Sequence, residues 1–166
     1  MSESISLIEN GSKAEQYAIL LPQIKSLISD EPDLIANLAN VAAVLKEAFS
    51  FWWVGFYLFK DGELVLGPFQ GPLACTRIAL GQGVCGSSAS QQATIIVDDV
   101  DQFPGHIACS SLSRSEIVVP IVSQEKIGGV LDVDSEHLAH FDSIDAEWLE
   151  KIVQLLTEHH QQDFQK

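Results

Sequence analysis

Residues 51–69 constrain the fold most, because two strand patterns flank a tight turn there. The first pattern, FWWVGFYLFK over residues 51–60, is rich in the aromatic side chains that favour strands. Asp61-Gly62 is a strong signal for a hairpin turn, and GELVLGPF continues from it. We therefore expect an antiparallel hairpin here, and any fold for this chain must contain a sheet.

Helical patterns lie on both sides of this hairpin. Ser12 and Glu15 have capping-box spacing, and apolar residues follow them at intervals of three or four. Asp30-Glu31-Pro32 predicts the start of a second helix, with the aspartate as its cap, that ends near Phe49. Asp142 is expected to cap a closing helix.

Four further segments have strand patterns: residues 75–80, 93–98, 116–122 and 127–134. The last two are separated by a short polar turn and most simply form an antiparallel hairpin. Two helices, a run of mostly antiparallel strands and a final helix predict an α+β fold, with helices packed on one face of a sheet. We expect a single domain over residues 1–166, with helices in 12–49, the sheet and a pocket in 51–135 and the closing helix in 142–161.

The charge balance limits the classes of partner. The chain has 166 residues, with 9 Lys+Arg against 23 Asp+Glu and a net charge of −14. Nucleic-acid binding draws much of its affinity from Lys and Arg, so we expect no nucleic-acid partner. The sequence begins without a signal-peptide pattern and has no apolar run near the ~20 residues that span a bilayer, which predicts a cytoplasmic protein.

Three cysteines, Cys75, Cys85 and Cys109, raise the question of redox chemistry. Zinc sites prefer closely spaced cysteine pairs, which this chain lacks, so we expect no structural metal. Each cysteine taken singly is as readily a buried, inert thiol. Cys85 stands in GQGVCG, where a short helix is expected to begin and to favour its thiolate. Cys109 lies in the long irregular stretch 98–114, and long loops in compact domains usually carry function.

Asp132 and Asp134 are two positions apart in a predicted strand and therefore point to one face of the sheet. A turn at Gln124-Glu125 would set Glu116 opposite Val133, within one residue of register, and so near both aspartates. Three like charges raise at least one pKa unless a cation lies among them. These three acids have two main interpretations: a site for a proton or a positive ligand group, or a solvated strand end without function. A divalent metal held by the three carboxylates is a minor third alternative.

Aromatic residues of the first strand offer a second candidate surface. Alternation directs Trp53 and Tyr57 to one face. Core packing is the ordinary role of such residues, but an aromatic wall opposite an acidic cluster would suit a ligand with an apolar or sulfur-bearing end and a cationic end.

Residues 81–86 match the GxGxxG pattern of dinucleotide-binding folds. That fold needs a full helix and a second parallel strand after the turn, and too few helix-compatible residues follow Gly86 before the next strand. We therefore reject nucleotide binding at this motif.

The chain resembles the GAF-domain free methionine-(R)-sulfoxide reductases in five motifs and in their order: WWVGFYLF, CTRIALGQGVCG, FPGHIAC, SEIVVPIV and GVLDVDS. The resemblance covers about residues 12–156. It implies a six-stranded antiparallel sheet, with helices on one face and a small closed pocket on the other. It also implies reduction of the R-epimer of free methionine sulfoxide, without a bound cofactor. Asp101 and Ser110 depart from the pattern, since His and Asp are common at those two positions.

For the cysteines, the resemblance makes Cys109 the nucleophile, Cys75 the resolving thiol and Cys85 a second thiol of the site. The implied thiolate attack on the sulfoxide sulfur gives a cysteine sulfenic acid, which a second cysteine converts to a disulfide. Which of Cys75 and Cys85 supplies that second thiol stays open. Thioredoxin would then reduce the disulfide, with NADPH as the indirect electron source.

For the pocket, the resemblance assigns one role to each remaining candidate. Glu116 and Asp134 would polarise and protonate the sulfoxide oxygen, and Asp132 would hold the substrate ammonium. Trp53 and Tyr57 would enclose the methyl end of the substrate.

Two other functions compete with the enzyme. One is a GAF sensor that binds an amino acid without turning it over, and the other is a thiol redox switch. A sensor normally sits beside an output domain, and we expect none in 166 residues. A homodimer through helices 13–29 and 144–160 is compatible with the sequence.

Overall fold

A computed structural model describes residues 4–106 and 112–165 of the chain, the side chain of residue 165 excepted. The principal elements, in chain order, are α1 (Lys13–Ser29), α2 (Leu34–Phe49), β1 (Trp53–Lys60), β2 (Glu63–Gln70), β3 (Arg77–Ala79), α3 (Gly83–Gln91), β4 (Ile95–Val97), β5 (Ser115–Ser123), β6 (Lys126–Ser135) and α4 (Ser143–His159). Short 3₁₀ turns lie at Val100–Gln102 and Asp163–Gln165. The strands form one antiparallel six-stranded sheet in the order β3-β2-β1-β6-β5-β4. The α+β prediction is confirmed, while the single domain over residues 1–166 stays a prediction.

The helix caps follow the sequence with one correction. The capping box of Ser12 and Glu15 is present at the start of α1, and Asp142 caps α4. The predicted cap of α2 at Asp30 is wrong, because Asp30 ends α1 and Asp33 caps α2 by accepting from the Ala36 N–H at 2.8 Å. The proline at position 32 explains the difference, since it disfavours helical geometry in the residue before it.

Alternation along the central strands divides the side chains between the two faces of the sheet. On one face, α1, α2 and α4 pack over residues such as Phe56, Ile117 and Leu131. On the other, Tyr57 and Val130 belong to a second apolar cluster. The three long helices therefore share one face, as predicted, and the short helix α3 lies with the second cluster.

The register of β5 against β6 decides which face the candidate acids occupy. The two strands join through Gln124-Glu125, as predicted, and Ser123 pairs with Lys126. A bulge between Ile121 and Val122 then shifts the pairing by one residue, so Glu116 lies opposite Asp134, which is within the predicted one residue of Val133. Residues that face each other across an antiparallel pair share a face, so the bulge brings Glu116 to the side of the aspartates.

The remaining strand predictions are confirmed with shorter bounds. The segments 75–80 and 93–98 contain the edge strands β3 and β4, each of three residues. Over the ranges described, no helix combines the length and the apolar character needed to cross a bilayer.

Candidate active site

Three carboxyl groups converge on the sheet face opposite the long helices. Glu116 comes from β5, and Asp132 and Asp134 come from β6. Glu116 and Asp132 are each 6% exposed, and Asp134 is partly buried. The Asp132 Oδ1 atom is buried and has no hydrogen-bond partner among the described residues. Ser113 donates a hydrogen bond of 2.5 Å to Asp134 Oδ1.

Burial dominates the electrostatics of this cluster. It raises the pKa of Glu116 well above its usual value, and the charges of Asp132 and Asp134 add to the effect. Burial also raises the pKa of Asp134, against the hydrogen bond from Ser113, and raises the pKa of Asp132 to about 6, against hydrogen bonds with Cys85 and Glu116. In the part of the chain that is described, no Lys or Arg forms an ion pair with these groups. The cluster therefore favours a bound proton or an incoming cation.

Cys85 adds a thiol to the acids. It is the third residue of α3, is free and buried, and its Sγ lies 3.9 Å from Glu116 Oε1. Burial, followed by the charges of Asp132 and Glu116, raises its pKa well above the usual value. The expectation of a stabilised thiolate is therefore wrong, because burial and like charges outweigh the partial charge of a helix N-terminus.

The glycine pattern around Cys85 has a packing explanation. A Cβ atom on Gly86 would lie 2.3 Å from the carbonyl oxygen of Ala79 at the end of β3. Only glycine allows the first turn of α3 to approach the edge strand this closely. The strand that follows α3, β4, pairs antiparallel with β5, unlike the parallel arrangement of a dinucleotide-binding unit.

Trp53 and Tyr57 lie on the pocket face, as alternation predicts. Their ring centroids are 6.1 Å apart, and Trp53 also stacks on Phe69 at 5.3 Å. Trp53 Nε1–H donates to the Pro72 carbonyl at 3.1 Å, and the Tyr57 hydroxyl donates to the Cys75 carbonyl at 2.9 Å. Burial, with the nearby Asp132 charge, raises the pKa of Tyr57, so its hydroxyl stays a donor. The two rings thus form a fixed apolar wall that the flanking loop holds in place.

These groups surround a cavity of about 50 Å³. Its lining includes Trp53, Tyr57, Leu73, Ala74, Ile78, Gln82, Gly83, Cys85, His106, Ser113, Glu116, Asp132 and Asp134. By volume, this cavity has room for water and small polar groups next to the acids. The structure therefore brings together six of the eight candidate residues.

The other two candidates are Cys75 and Cys109. Cys75 precedes β3, packs beside the pocket-side apolar cluster and is disulfide-bonded. Cys109 lies outside the described residues.

Ser113 and His106 line the cavity but were not predicted from the sequence as site residues. His106 stands in the FPGHIAC motif, which could have directed attention to it. Burial lowers its pKa, so its imidazole is favoured in the neutral form. Ser113 has no comparable signal, because its contact with Asp134 depends on how the chain enters β5.

The chain is similar to a protein-family model, to curated proteins and to solved structures. The family model described as GAF domain matches residues 29–158. The chain is 60% identical to GAF domain-containing protein A of Dictyostelium discoideum, over 94% of this chain and 99% of that protein. It is 44% identical to the free methionine-R-sulfoxide reductase of Escherichia coli, over 86% of this chain and 87% of that protein. It is also similar to the crystal structure of the free methionine-R-sulfoxide reductase of Neisseria meningitidis in complex with its substrate, with 54% identity, a TM-score of 0.94 and 98% of each chain covered.

Proposed function

The chain belongs to the GAF-domain family of free methionine-R-sulfoxide reductases, and on that premise we propose that it reduces free L-methionine-(R)-S-oxide to L-methionine. The observation that carries the proposal is the placement of Glu116, Asp132 and Asp134 around one cavity that Trp53 and Tyr57 also line. A ligand whose chemistry complements this lining has a cationic end, a proton-accepting oxygen and an apolar end. Free methionine sulfoxide has all three.

The acids bind and orient the substrate. The unpartnered Oδ1 of Asp132 accepts from the substrate ammonium, and Trp53 and Tyr57 enclose the methyl end. Removing the Asp132 carboxylate from water is costly, and only a substrate nitrogen with a full positive charge compensates for that cost. The nitrogen of a methionine within a peptide is an uncharged amide, so a pocket closed around the free amino acid excludes it.

The carboxylic acids supply the proton for reduction. The Cys109 thiolate attacks the sulfoxide sulfur, and the raised pKa of Glu116 and of Asp134 keeps a proton available for the oxygen. The sulfur–oxygen bond and the new sulfur–sulfur bond then break, and the hydroxyl group is transferred to the Cys109 sulfur. Methionine leaves with the electron pair, and Cys109 becomes a sulfenic acid. Attack by a second thiol then forms a disulfide and releases water.

The states of the other two cysteines support Cys75 as that second thiol. Cys75 is disulfide-bonded, whereas Cys85 is a free thiol whose raised pKa makes it a poor nucleophile. The chain has three cysteines, so we propose Cys75 and Cys109 as the redox pair. Cys85 then contributes to the shape and charge of the pocket.

A disulfide product must be reduced before the next turnover. We propose thioredoxin as the reductant, with NADPH as the indirect electron source and no cofactor bound to the chain. We also propose a cytoplasmic location and a homodimer through α1 and α4.

Turnover of the pure protein with dithiothreitol tests the reaction. We expect conversion of free methionine-R-sulfoxide, little conversion of the S-epimer or of peptide-bound sulfoxide, and loss of activity in Cys109→Ser. Cys85→Ser is the matched control and should keep the ability to form the disulfide. Full activity of Cys109→Ser would refute the assignment of Cys109 as the nucleophile. Binding of methionine sulfoxide without turnover in the wild type would favour a sensor function.

A further inference from the structure

We propose that Cys85, Glu116 and Asp132 form a binding site for a zinc ion, and that the bound ion excludes methionine sulfoxide from the pocket. The ligands of this site are one thiol and two carboxylates. They differ from the two sets considered for the sequence, a closely spaced cysteine pair and three carboxylates. The binding itself is independent of the proposed reaction, whereas the exclusion of substrate rests on that proposed function.

The geometry of the three side chains suits a small metal ion. One ligand atom from each residue lies within 4.8 Å of the other two, and the Cys85 Sγ to Glu116 Oε1 distance is 3.9 Å. Zinc bonds to thiolate sulfur at about 2.3 Å and to carboxylate oxygen at about 2.0–2.2 Å, so two ligand atoms of a tetrahedral site lie roughly 3.5 Å apart. Small side-chain rotations therefore suffice to close the site around an ion.

A second, independent observation at the same place points to a ligand. Asp132 is 6% exposed, and its buried Oδ1 has no hydrogen-bond partner in the described ranges. A buried polar atom without a partner is costly, so it marks a place where another group binds. A metal ion satisfies this oxygen directly, as the substrate ammonium does in the proposed reaction.

The donor types select the ion. A thiolate with carboxylates suits zinc, while magnesium and calcium prefer oxygen ligands alone. Because zinc binds the thiolate and not the thiol, binding releases the Cys85 proton and any proton shared by the two acids. Zinc binding should consequently become tighter as the pH rises.

The same atoms would serve the ion and the substrate. Zinc at Asp132 Oδ1 occupies the proposed ammonium position, and zinc at Glu116 removes a proton donor. Free zinc would thus switch the enzyme off without touching its redox cysteines.

Cobalt titration of the full-length Cys75→Ser/Cys109→Ser variant tests the site, because Cys85 is then the remaining cysteine. We expect one cobalt ion per chain, a thiolate-to-cobalt charge-transfer band and displacement by zinc. Cys85→Ser in this background should lose the band, and Asp132→Asn should bind cobalt ~10- to 100-fold more weakly. Glu136→Gln, an exposed acid just beyond β6, is the matched control and should bind as before.

Three results would overturn the metal site: no band in the starting variant, an unchanged band in Cys85→Ser, or undiminished binding in Asp132→Asn. A single cooperative melting transition, at a temperature no lower than that of the starting variant, shows that each substituted protein is folded. Methionine sulfoxide should weaken cobalt binding, and cobalt affinity that ignores the substrate would refute the exclusion. A wild type with the cobalt site but without reductase activity refutes the proposed reaction alone, while an active wild type without the site refutes the metal proposal alone.

Discussion

Each side of the sheet has a buried aspartate, one on a packed helix and one on a strand, and the two aspartates differ in what surrounds them. On the helix side, Asp145 of α4 is 1% exposed. It accepts from the Tyr17 hydroxyl at 2.9 Å, from Lys13 Nζ at 2.5 Å and from the Asp142 N–H at 3.0 Å. On the pocket side, Asp132 is nearly as buried, but one of its oxygens has no partner in the described residues.

The difference separates an acid whose partners lie within the fold from one with an oxygen that the proposed ligand would pair. Asp145 fixes α1 against α4 with partners supplied by the chain itself. Asp132 shares its pocket with other acids, and burial without a cation raises its pKa to about 6. Burial is common to both residues, so burial alone does not identify the functional one.

Glu116→Gln should give the largest effect and affect the pocket side only. Loss of a general acid lowers the rate typically ~10²- to 10⁴-fold, so kcat/KM for free methionine-R-sulfoxide should fall by at least ~10²-fold. The free energy of unfolding should stay equal or rise, because a buried acid is replaced by a neutral amide. Steady-state kinetics and urea unfolding of the same preparation measure both quantities. If Glu116→Gln had the kcat/KM of the wild type, Glu116 would have no role in the reaction.

Asp145→Ala should show the opposite pattern. It leaves Tyr17 and Lys13 without their buried partner and should lower the free energy of unfolding by about 2 to 3 kcal/mol. The kcat/KM of the protein that remains folded should change little, since Asp145 does not line the cavity. Glu147→Ala, an exposed acid on the same helix, is the control for helix propensity. An unchanged stability of Asp145→Ala would contradict the comparison of the two faces.

The pH dependence of stability should distinguish Asp132 from a solvated acid. Its pKa rises from 3.8 to about 6 on folding, so the folded state binds the extra proton between these values. Stability contributed by this proton is present below about pH 3.8 and is lost as the pH rises through about 6, by roughly 2 to 3 kcal/mol at most.

Asp132→Asn should remove that loss. Unfolding by urea at several pH values between about 4 and 7 should show a smaller decline for Asp132→Asn than for the wild type. Parallel curves for the two proteins would mean that Asp132 titrates as it does in the unfolded chain.

Ser113→Ala should give the smallest effect. In the proposed reaction Ser113 is a positioning residue. Its hydrogen bond to Asp134 opposes the burial that raises the pKa of that carboxyl group. Its loss should lower kcat/KM by roughly tenfold, the cost of about one charged hydrogen bond. The limb of the pH–rate profile that reports Asp134 should move to higher pH. Ser113→Thr keeps a hydroxyl group and should restore both kcat/KM and the position of this limb. If the pH–rate profile of Ser113→Ala does not move, Ser113 contributes only to packing.

The local elements were accessible from the sequence because their causes are local. Capping at Ser12 and Asp142 depends on residues within one helical turn. The turn at Asp61-Gly62 needs two residues with positive φ, and both have it, at 51° and 88°. The α2 cap was predicted at Asp30 because an aspartate lies on each side of Pro32. Only Asp33, which follows the proline, has the extended backbone geometry of a cap.

The candidate site was accessible in part. Alternation places Asp132 and Asp134 on one face, and likewise Trp53 and Tyr57, whatever the rest of the chain does. The state of Cys85 was not accessible, because a helix N-terminus is visible in the sequence while the acids that surround the thiol come from β5 and β6. Ser113 and His106 reach the cavity through loops whose paths no periodicity describes.

By itself, the sequence determined the helices, the antiparallel strands, the acidic residues and the motifs that identify the family. The hairpin also placed Glu116 near both aspartates to within one residue of register, and only the tertiary structure decided the exact pairing and the face that Glu116 occupies. A regular hairpin with the predicted pairing would set Glu116 opposite Val133, whose side chain packs beneath the helices. The bulge between Ile121 and Val122 moves the register by one residue and turns Glu116 to the pocket face, because side chains alternate with a period of two along a strand.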